Sequence, residues 1–217
     1  MGLESGMTES RMVHPKYLIA DARPLGLAGF AATTFVLSAH NAGWAPDTIW
    51  IGMAFFYGGL GQFVAGMWQF KRNCTFTATA FSTYGCFWMA NGLFHILLLL
   101  NLLPAAFETS ESVAWFLTSF LIFNTYMCVA SLLMPLVEVV VFVLLELTLF
   151  TLMVGNFKGQ KAGESGTWTM AGGYIGVFTA AAAFYYSMAC CINTMMKKNV
   201  VFIGKPLVSS QDKEEAL

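Results

Sequence analysis

An all-α integral membrane protein with six transmembrane helices is the fold class the sequence predicts. Three observations lead there. The 217 residues are 57% hydrophobic and only 11% charged, with a mean hydropathy of +0.65. A soluble domain carries about 25% charged residues, and a core of this size cannot hide so much apolar surface from water. Second, the apolar residues fall into six runs near the roughly 20 residues that a span requires. Third, lysine and arginine gather in alternate connections.

The first span runs from Pro24 to about His40, with proline at a helix-start position where its missing N–H costs nothing. The second, Thr48 to Phe70, ends at Lys71-Arg72-Asn73. The third, Phe76 to Leu103, is closed by Pro104. The fourth is Val113 to Met134 and the fifth Pro135 to Val154, ended by Gly155-Asn156. Only Pro135 divides these two, but the combined apolar run is too long for one span. The sixth, Trp168 to Met196, ends at Lys197-Lys198. Residues 1–23 and 197–217 are then an N-terminal and a C-terminal tail, and 24–196 the transport domain. Met1 to Arg23 is polar and has no apolar signal core, so the internal helices are expected to direct insertion.

With the N-terminus inside, one side collects Arg11, Lys16, Arg23, Lys71, Arg72, Lys197, Lys198, Lys205 and Lys213. The other collects Lys158 and Lys161. That split places both termini in the cytoplasm. Asp47, Glu108, Glu111 and Glu164 fall in the opposite loops. Trp44, Trp50, Trp68, Trp115 and Trp168 lie near span ends, as an interfacial belt would place them. Asn73-Cys74-Thr75 is a glycosylation sequon that this topology keeps cytoplasmic and unmodified.

Gly172, Gly176 and Ala180, and likewise Gly58, Gln62 and Gly66, recur every four residues, a spacing that lets membrane helices approach closely. The contacts could lie within one subunit or between subunits. Thr79 to Gly85 on helix three resembles Thr169 to Gly176 on helix six, so a 3+3 pseudo-repeat is plausible.

The net charge of −1 gives no footprint for nucleic acid. Cys74, Cys86, Cys128, Cys190 and Cys191 show neither metal nor disulfide spacing, and no metal or cofactor is expected. No nucleophile–base pair or phosphate loop is visible, which argues against an enzyme. The polar residues inside the spans are the functional clues. No lysine or arginine lies deep in a span. A permeating anion must be met by hydroxyls, amides, helix N-termini or water, or cross as the neutral acid. A weak carboxylic acid, with a pKa near the 4.3 of glutamic acid, makes proton-linked transfer reasonable.

Glu146 lies 11 residues after Pro135, roughly 16 Å deep in a core of about 30 Å. Desolvation penalises the charged form there, so it is a candidate proton relay, or else a neutral acid bonded to another helix. Glu138, one turn into helix five, reads as an interfacial cap. His40 and Asn41 either line a vestibule or cap helix one. Asn91, His95, Asn101 and Asn124 either bind solute or bond between helices. Thr33, Thr34, Ser82 and Thr83 either line a path or bond back to their own helix. Phe30 and Tyr84 sit beside Gly29 and Gly85, where a ring projecting into a narrow path can gate it by dewetting. On spacing alone, packing is the better explanation of both, in a chain with 20 Phe and 7 Tyr.

Four blocks carry a family resemblance. They are Pro24 to Phe30 running on to Thr33-Thr34, His40 to Gly43, Phe56 to Gly66 running on to Lys71, and Thr75-Phe76 with Thr79 to Trp88. A weaker match is Gly155-Asn156 with the glycine-rich start of helix six. Over residues 21 to about 90 the chain resembles the acetate uptake transporter family, which includes bacterial succinate–acetate permeases and fungal ammonia/acetate exporters. The resemblance implies six helices around a central path, a homo-hexamer, and transport of acetate, related monocarboxylates or succinate by a proton-coupled permease or anion channel. It implies a constriction formed by Phe30, Tyr84 and, in helix five, Leu145. It places Thr33, Thr34, His40, Asn41, Gln62, Ser82, Thr83 and Asn156 among the candidate path residues, and the plasma membrane as the location. The family's opening Asn-Pro-Ala-Pro-Leu-Gly-Leu reads Asp21-Ala22-Arg23-Pro24-Leu25-Gly26-Leu27 here, a change at the cytoplasmic mouth. The competing reading is a channel for a small neutral solute such as ammonia or urea.

Overall fold

The computed structural model describes residues 19–46, 49–103, 110–160 and 166–208. Six long helices follow one another: α1 (Arg23–Asn41), α2 (Ile49–Lys71), α3 (Thr75–Leu99), α4 (Ser110–Ser131), α5 (Leu136–Phe157) and α6 (Thr167–Met196). No strand occurs among the described residues. By length and composition α2, α4, α5 and α6 can each cross a membrane. α1 and α3 carry Thr34, Ser38, His40, Asn41, Asn91 and His95 of the cavity wall described below.

The span limits differ from expectation by up to four residues, most at the end of α3, at both ends of α4 and at the end of α5, which runs through Gly155-Asn156 to Phe157. α3 stops at Leu99 rather than Leu103, because Asn101 turns into the left-handed region at φ 53°. Asn101 is therefore a helix terminator, and it lines neither of the two cavities described below. Pro135 does divide α4 from α5: α4 ends at Ser131, and Pro135, extended at ψ 145°, precedes α5. The expected starts at Thr48 and stop at Pro104, and Lys161, Glu108 and Glu164, lie outside the described residues.

α2 is not uniformly α-helical. Phe56–Gly61 forms a π-helical segment. The extra residue per turn brings Gly58 against Thr33 of α1 and Gly59 against Met89 of α3; a Cβ at these positions would lie 2.5 Å and 2.6 Å from those side chains. The glycines of this block thus fit one helix between two others. Gly66 lies against Ser82 of α3 in the same way, and Gly172, Gly173 and Gly176 of α6 lie against Leu152, Ala42 and Ser38. The small-residue stripes therefore serve contacts within the subunit. α6 packs along both α1 and α5, and α4 packs along α5.

The start of α1 lies at the same end as the end of α2, where Gln69 reaches Asp21, and as the end of α6, where Ser187 donates to the carbonyl of Pro24. Arg23, Lys71, Arg72, Lys197, Lys198 and Lys205 share this end. The segment after α6 folds back over it. Asn193 holds Val200 and Val201 through three side-chain hydrogen bonds of 2.8 Å, and Ile203 and Leu207 pair with Val137 and Leu132. Residues 200–208 are thus docked on the bundle. Trp44, Trp68 and Trp115 are exposed, as a belt requires, but Trp50 is 1% exposed and packs edge-on against His95 inside the subunit.

Candidate functional site

Phe30 on α1, Tyr84 on α3 and Leu145 on α5 meet inside the bundle, each 4–6% exposed. The two rings lie 5.9 Å apart between centroids. These three residues line both of two cavities, one on either side of them. The outer is a vestibule of about 680 Å³ reaching toward the end of α1; the inner is a chamber of about 30 Å³. Three large side chains thus stand between the two cavities. An apolar narrowing of this kind excludes bulk water while admitting a small solute.

Tyr84 is held in place from behind. Its hydroxyl donates to Asn124 Oδ1 at 2.6 Å, and Asn124 Nδ2 donates to the Phe142 carbonyl at 3.1 Å and to Glu146 Oε2 at 2.6 Å. Thr125 donates to the other Glu146 oxygen at 2.7 Å. Glu146 therefore stands outside both cavities and touches the path only through Asn124 and Tyr84. Phe87 and Phe123 complete the packing of the Tyr84 ring.

Of the remaining candidates, Thr34, His40, Asn41 and Asn156 line the vestibule, and Gln62 lines the inner chamber. His40 also approaches the Ala45 carbonyl at 3.3 Å and Asn156 donates to that of Leu152, so both serve their helix ends as well. Thr33 donates to Gly29 and packs on Gly58, and Ser82 donates to Ala78; neither they nor Thr83 form cavity wall. Asn91 and His95 are vestibule residues, while Asn124 is the interhelical bond just described.

Three residues escape sequence reasoning. Trp88 lines the vestibule, and its indole N–H and the Thr34 hydroxyl have no hydrogen-bond partner among the described residues. Both can donate, which suits an acceptor-rich solute. Glu138 and Tyr186 line the inner chamber, with the Tyr186 hydroxyl donating to Glu138 Oε2 at 2.9 Å. Glu138 is 4% exposed and is not an interfacial cap. Its partner lies 48 residues away on α6, so no local pattern could reveal the pair.

The altered opening motif has a local use. Asp21 accepts from the Arg23 backbone N–H at 3.0 Å, from its Nε at 2.8 Å and Nη2 at 2.6 Å, and from Gln69 Nε2 at 2.9 Å. Arg72 stands 3.9 Å away and donates to the Ile19 carbonyl. This cluster joins the start of α1 to the end of α2. Burial raises the Asp21 carboxyl, but the hydrogen bonds and charge of Arg23, with Gln69, outweigh it and hold the group below its ordinary 3.8. A lowered carboxyl contributes stability that is present above its ordinary value and is lost as pH falls through the lowered one. Asp21→Asn is therefore expected to lower the thermal midpoint in detergent at pH 7, with the gap closing below about pH 3.8. Equal midpoints at pH 7 would contradict this.

A bundle of apolar helices with two internal cavities separated by two rings and a leucine is the architecture of a multi-pass membrane transport protein. The chain belongs to the GPR1/FUN34/yaaH family, whose profile matches residues 5–208. It is 34% identical over 192 residues to the succinate-acetate/proton symporter SatP of Escherichia coli K12, covering 86% of this chain and 96% of that protein. It is 39% identical over 184 residues to acetate permease A of Emericella nidulans, 78% of this chain and 61% of that one. It is 36% identical over 183 residues to ammonia transport outward protein 2 of Saccharomyces cerevisiae, 81% of this chain and 62% of that one. Among solved structures it is similar to the bacterial acetate channel SatP, with a TM-score of 0.80 and 31% identity over 86% of this chain and 99% of that one.

Proposed function

We propose that this protein moves acetate and related small monocarboxylates, succinate among them, across the plasma membrane through the Phe30–Tyr84–Leu145 constriction. The observation that carries this reading is that these three side chains close the boundary between the two cavities. The vestibule offers Thr34, His40, Asn41, Asn156 and Trp88 to a carboxylate, and among the described residues its wall holds no lysine or arginine, which favours weak binding and fast release. Thr33, Ser82 and Thr83 act by positioning α1 and α3, and Glu146 by holding Asn124 and Tyr84. The names of the relatives, symporter, permease and channel, support the solute class. Both termini are cytoplasmic in this reading, which the six cations at the α1-start end support. The subunits form a homo-hexamer, and each subunit is built from two three-helix halves. The halves are not equivalent in use, since Tyr84 closes the path while Tyr174 is 41% exposed and packs edge-on against Trp44.

The second reading is a path for a neutral solute, supported by the ammonia-exporting relative. Flux into proteoliposomes separates the two, using a panel of acids at two pH values beside ammonia and urea. Labelled acetate is expected to enter, faster with an inward proton gradient, and to be displaced by other small monocarboxylates. Flux of ammonia or urea without acetate competition would refute the carboxylate reading.

A further inference from the structure

We propose that Glu138 is the group that takes up and releases a proton as a carboxylate passes the inner chamber. This rests on the transport reading above and names the residue that couples it to protons. Glu138 is 4% exposed and lines the chamber beside Gln62 and Tyr186. At about 30 Å³ of space for water centres, the chamber has room for only about two or three waters. A solute leaving the constriction on this side must therefore come into contact with its walls, Glu138 among them. Two ionised carboxylates cannot share so small and apolar a space without strong repulsion. One proton between them removes it.

The surroundings of Glu138 leave that proton to it. Tyr186 donates to one oxygen, and the other accepts no hydrogen bond among the described residues. The charged and titratable groups that face it are Tyr186 and Cys190 from α6, Arg23 at the start of α1 and Asp21 just before it. Arg23 is already forked onto Asp21 at 2.6 Å and 2.8 Å, so Glu138 has no cation of its own. Tyr84 shares the chamber wall but gives its proton to Asn124. Gln62 adds a carbonyl oxygen without a partner, an acceptor suited to a carboxylic O–H. Glu146, by contrast, lies behind Tyr84 with both oxygens occupied. The step balances simply. The carboxyl O–H bond of the arriving neutral acid breaks as its proton bonds to a Glu138 oxygen, and the resulting carboxylate passes on. The Glu138 O–H bond breaks to water on the inner side as the substrate leaves, and nothing is oxidised or reduced.

The test uses the full chain in proteoliposomes holding a pH-sensitive dye, with labelled acetate outside. Wild-type protein is expected to admit acetate with a matching internal acidification. Glu138→Gln should still admit acetate, with a flattened pH profile and its proton entry at background. Glu111→Gln, at an exposed carboxyl in the first turn of α4, should keep both the profile and the acidification. Tyr186→Phe keeps the carboxyl but removes a donor to its ionised form, so its uptake should persist to higher pH than wild type. The proposal is overturned if Glu138→Gln retains wild-type proton entry per acetate. It is equally overturned if Glu138→Gln does not fold and Tyr186→Phe leaves the pH profile in place. Acetate entry without acidification in the wild type overturns it while the transport reading stands; no acetate entry at all defeats the transport reading.

Discussion

Gly85→Val is expected to yield no extractable folded protein. A Cβ at Gly85 would stand 2.7 Å from the Phe63 backbone nitrogen and 2.8 Å from the Gly59 carbonyl oxygen. Both are backbone atoms of α2, so no side chain can swing aside. Overpacking a rigid interior costs about 1–3 kcal/mol, and more where backbone must move. The contact also sets the separation of α2 and α3 beside Tyr84, so misfit here displaces the constriction. Gly52→Ala is the control, since a Cβ there meets nothing within 4 Å. Monodisperse yield after detergent extraction and the thermal midpoint report the difference. A normal yield of Gly85→Val would show that the two helices tolerate a wider separation.

Leu145→Ala is expected to leave folded protein that passes bulkier carboxylates. Leu145 is 6% exposed and lines both cavities, so shortening it widens their common boundary. One methylene in an apolar pocket is worth about 1–3 kcal/mol in discrimination, roughly 10–200-fold. Removing three carbons should therefore move the flux ratio of a branched or longer monocarboxylate to acetate by at least about 10-fold. Leu147→Ala, two residues on and 47% exposed on the bundle surface, should leave that ratio unchanged. An unchanged ratio in Leu145→Ala would remove this leucine from the selectivity step. Part of the lost packing falls on a cavity wall, so the stability cost should stay near the lower end of the usual 2–5 kcal/mol for Leu→Ala.

Comparing the sequence with the fold shows what kind of signal each feature carries. Helices are local, and their hydrogen bonds close within four residues, so apolar runs and terminators such as Lys71-Arg72, Pro135 and Lys197-Lys198 mark them well. Asn101 went unread as a terminator because left-handed asparagine is set by backbone geometry and not by hydropathy. The π-helical segment of α2 was likewise invisible, although its glycines were plain. Their meaning depends on Thr33 and Met89 across the interface. Trp50 passed for a belt residue because sequence position says how deep a side chain lies, not which way it faces.

The site divides along the same line. Phe30, Tyr84 and Thr34 could be marked because they lie in dense local motifs. Glu146 drew attention by its depth in an apolar run, which is a one-dimensional property. Its actual neighbours, Asn124 and Thr125, come from α4 and turn it away from both cavities. Glu138 looked like a helix-end residue until α6 supplied Tyr186 across 48 residues of chain. The altered motif at Asp21 read as a change of mouth chemistry, and the structure makes it a clasp between α1 and α2.

By itself the sequence determined that the chain lives in a membrane as helices, near which residues most of them begin and end, and which family it belongs to. Composition and short motifs carry that information because lipid forces each span to satisfy its own backbone. Only the tertiary structure decided which buried carboxylate faces the path and which supports its wall. That choice depends on the rotation of each helix against its neighbours, set by the glycine contacts of α1, α2, α3 and α6, and rotation leaves no mark in a single strand of sequence.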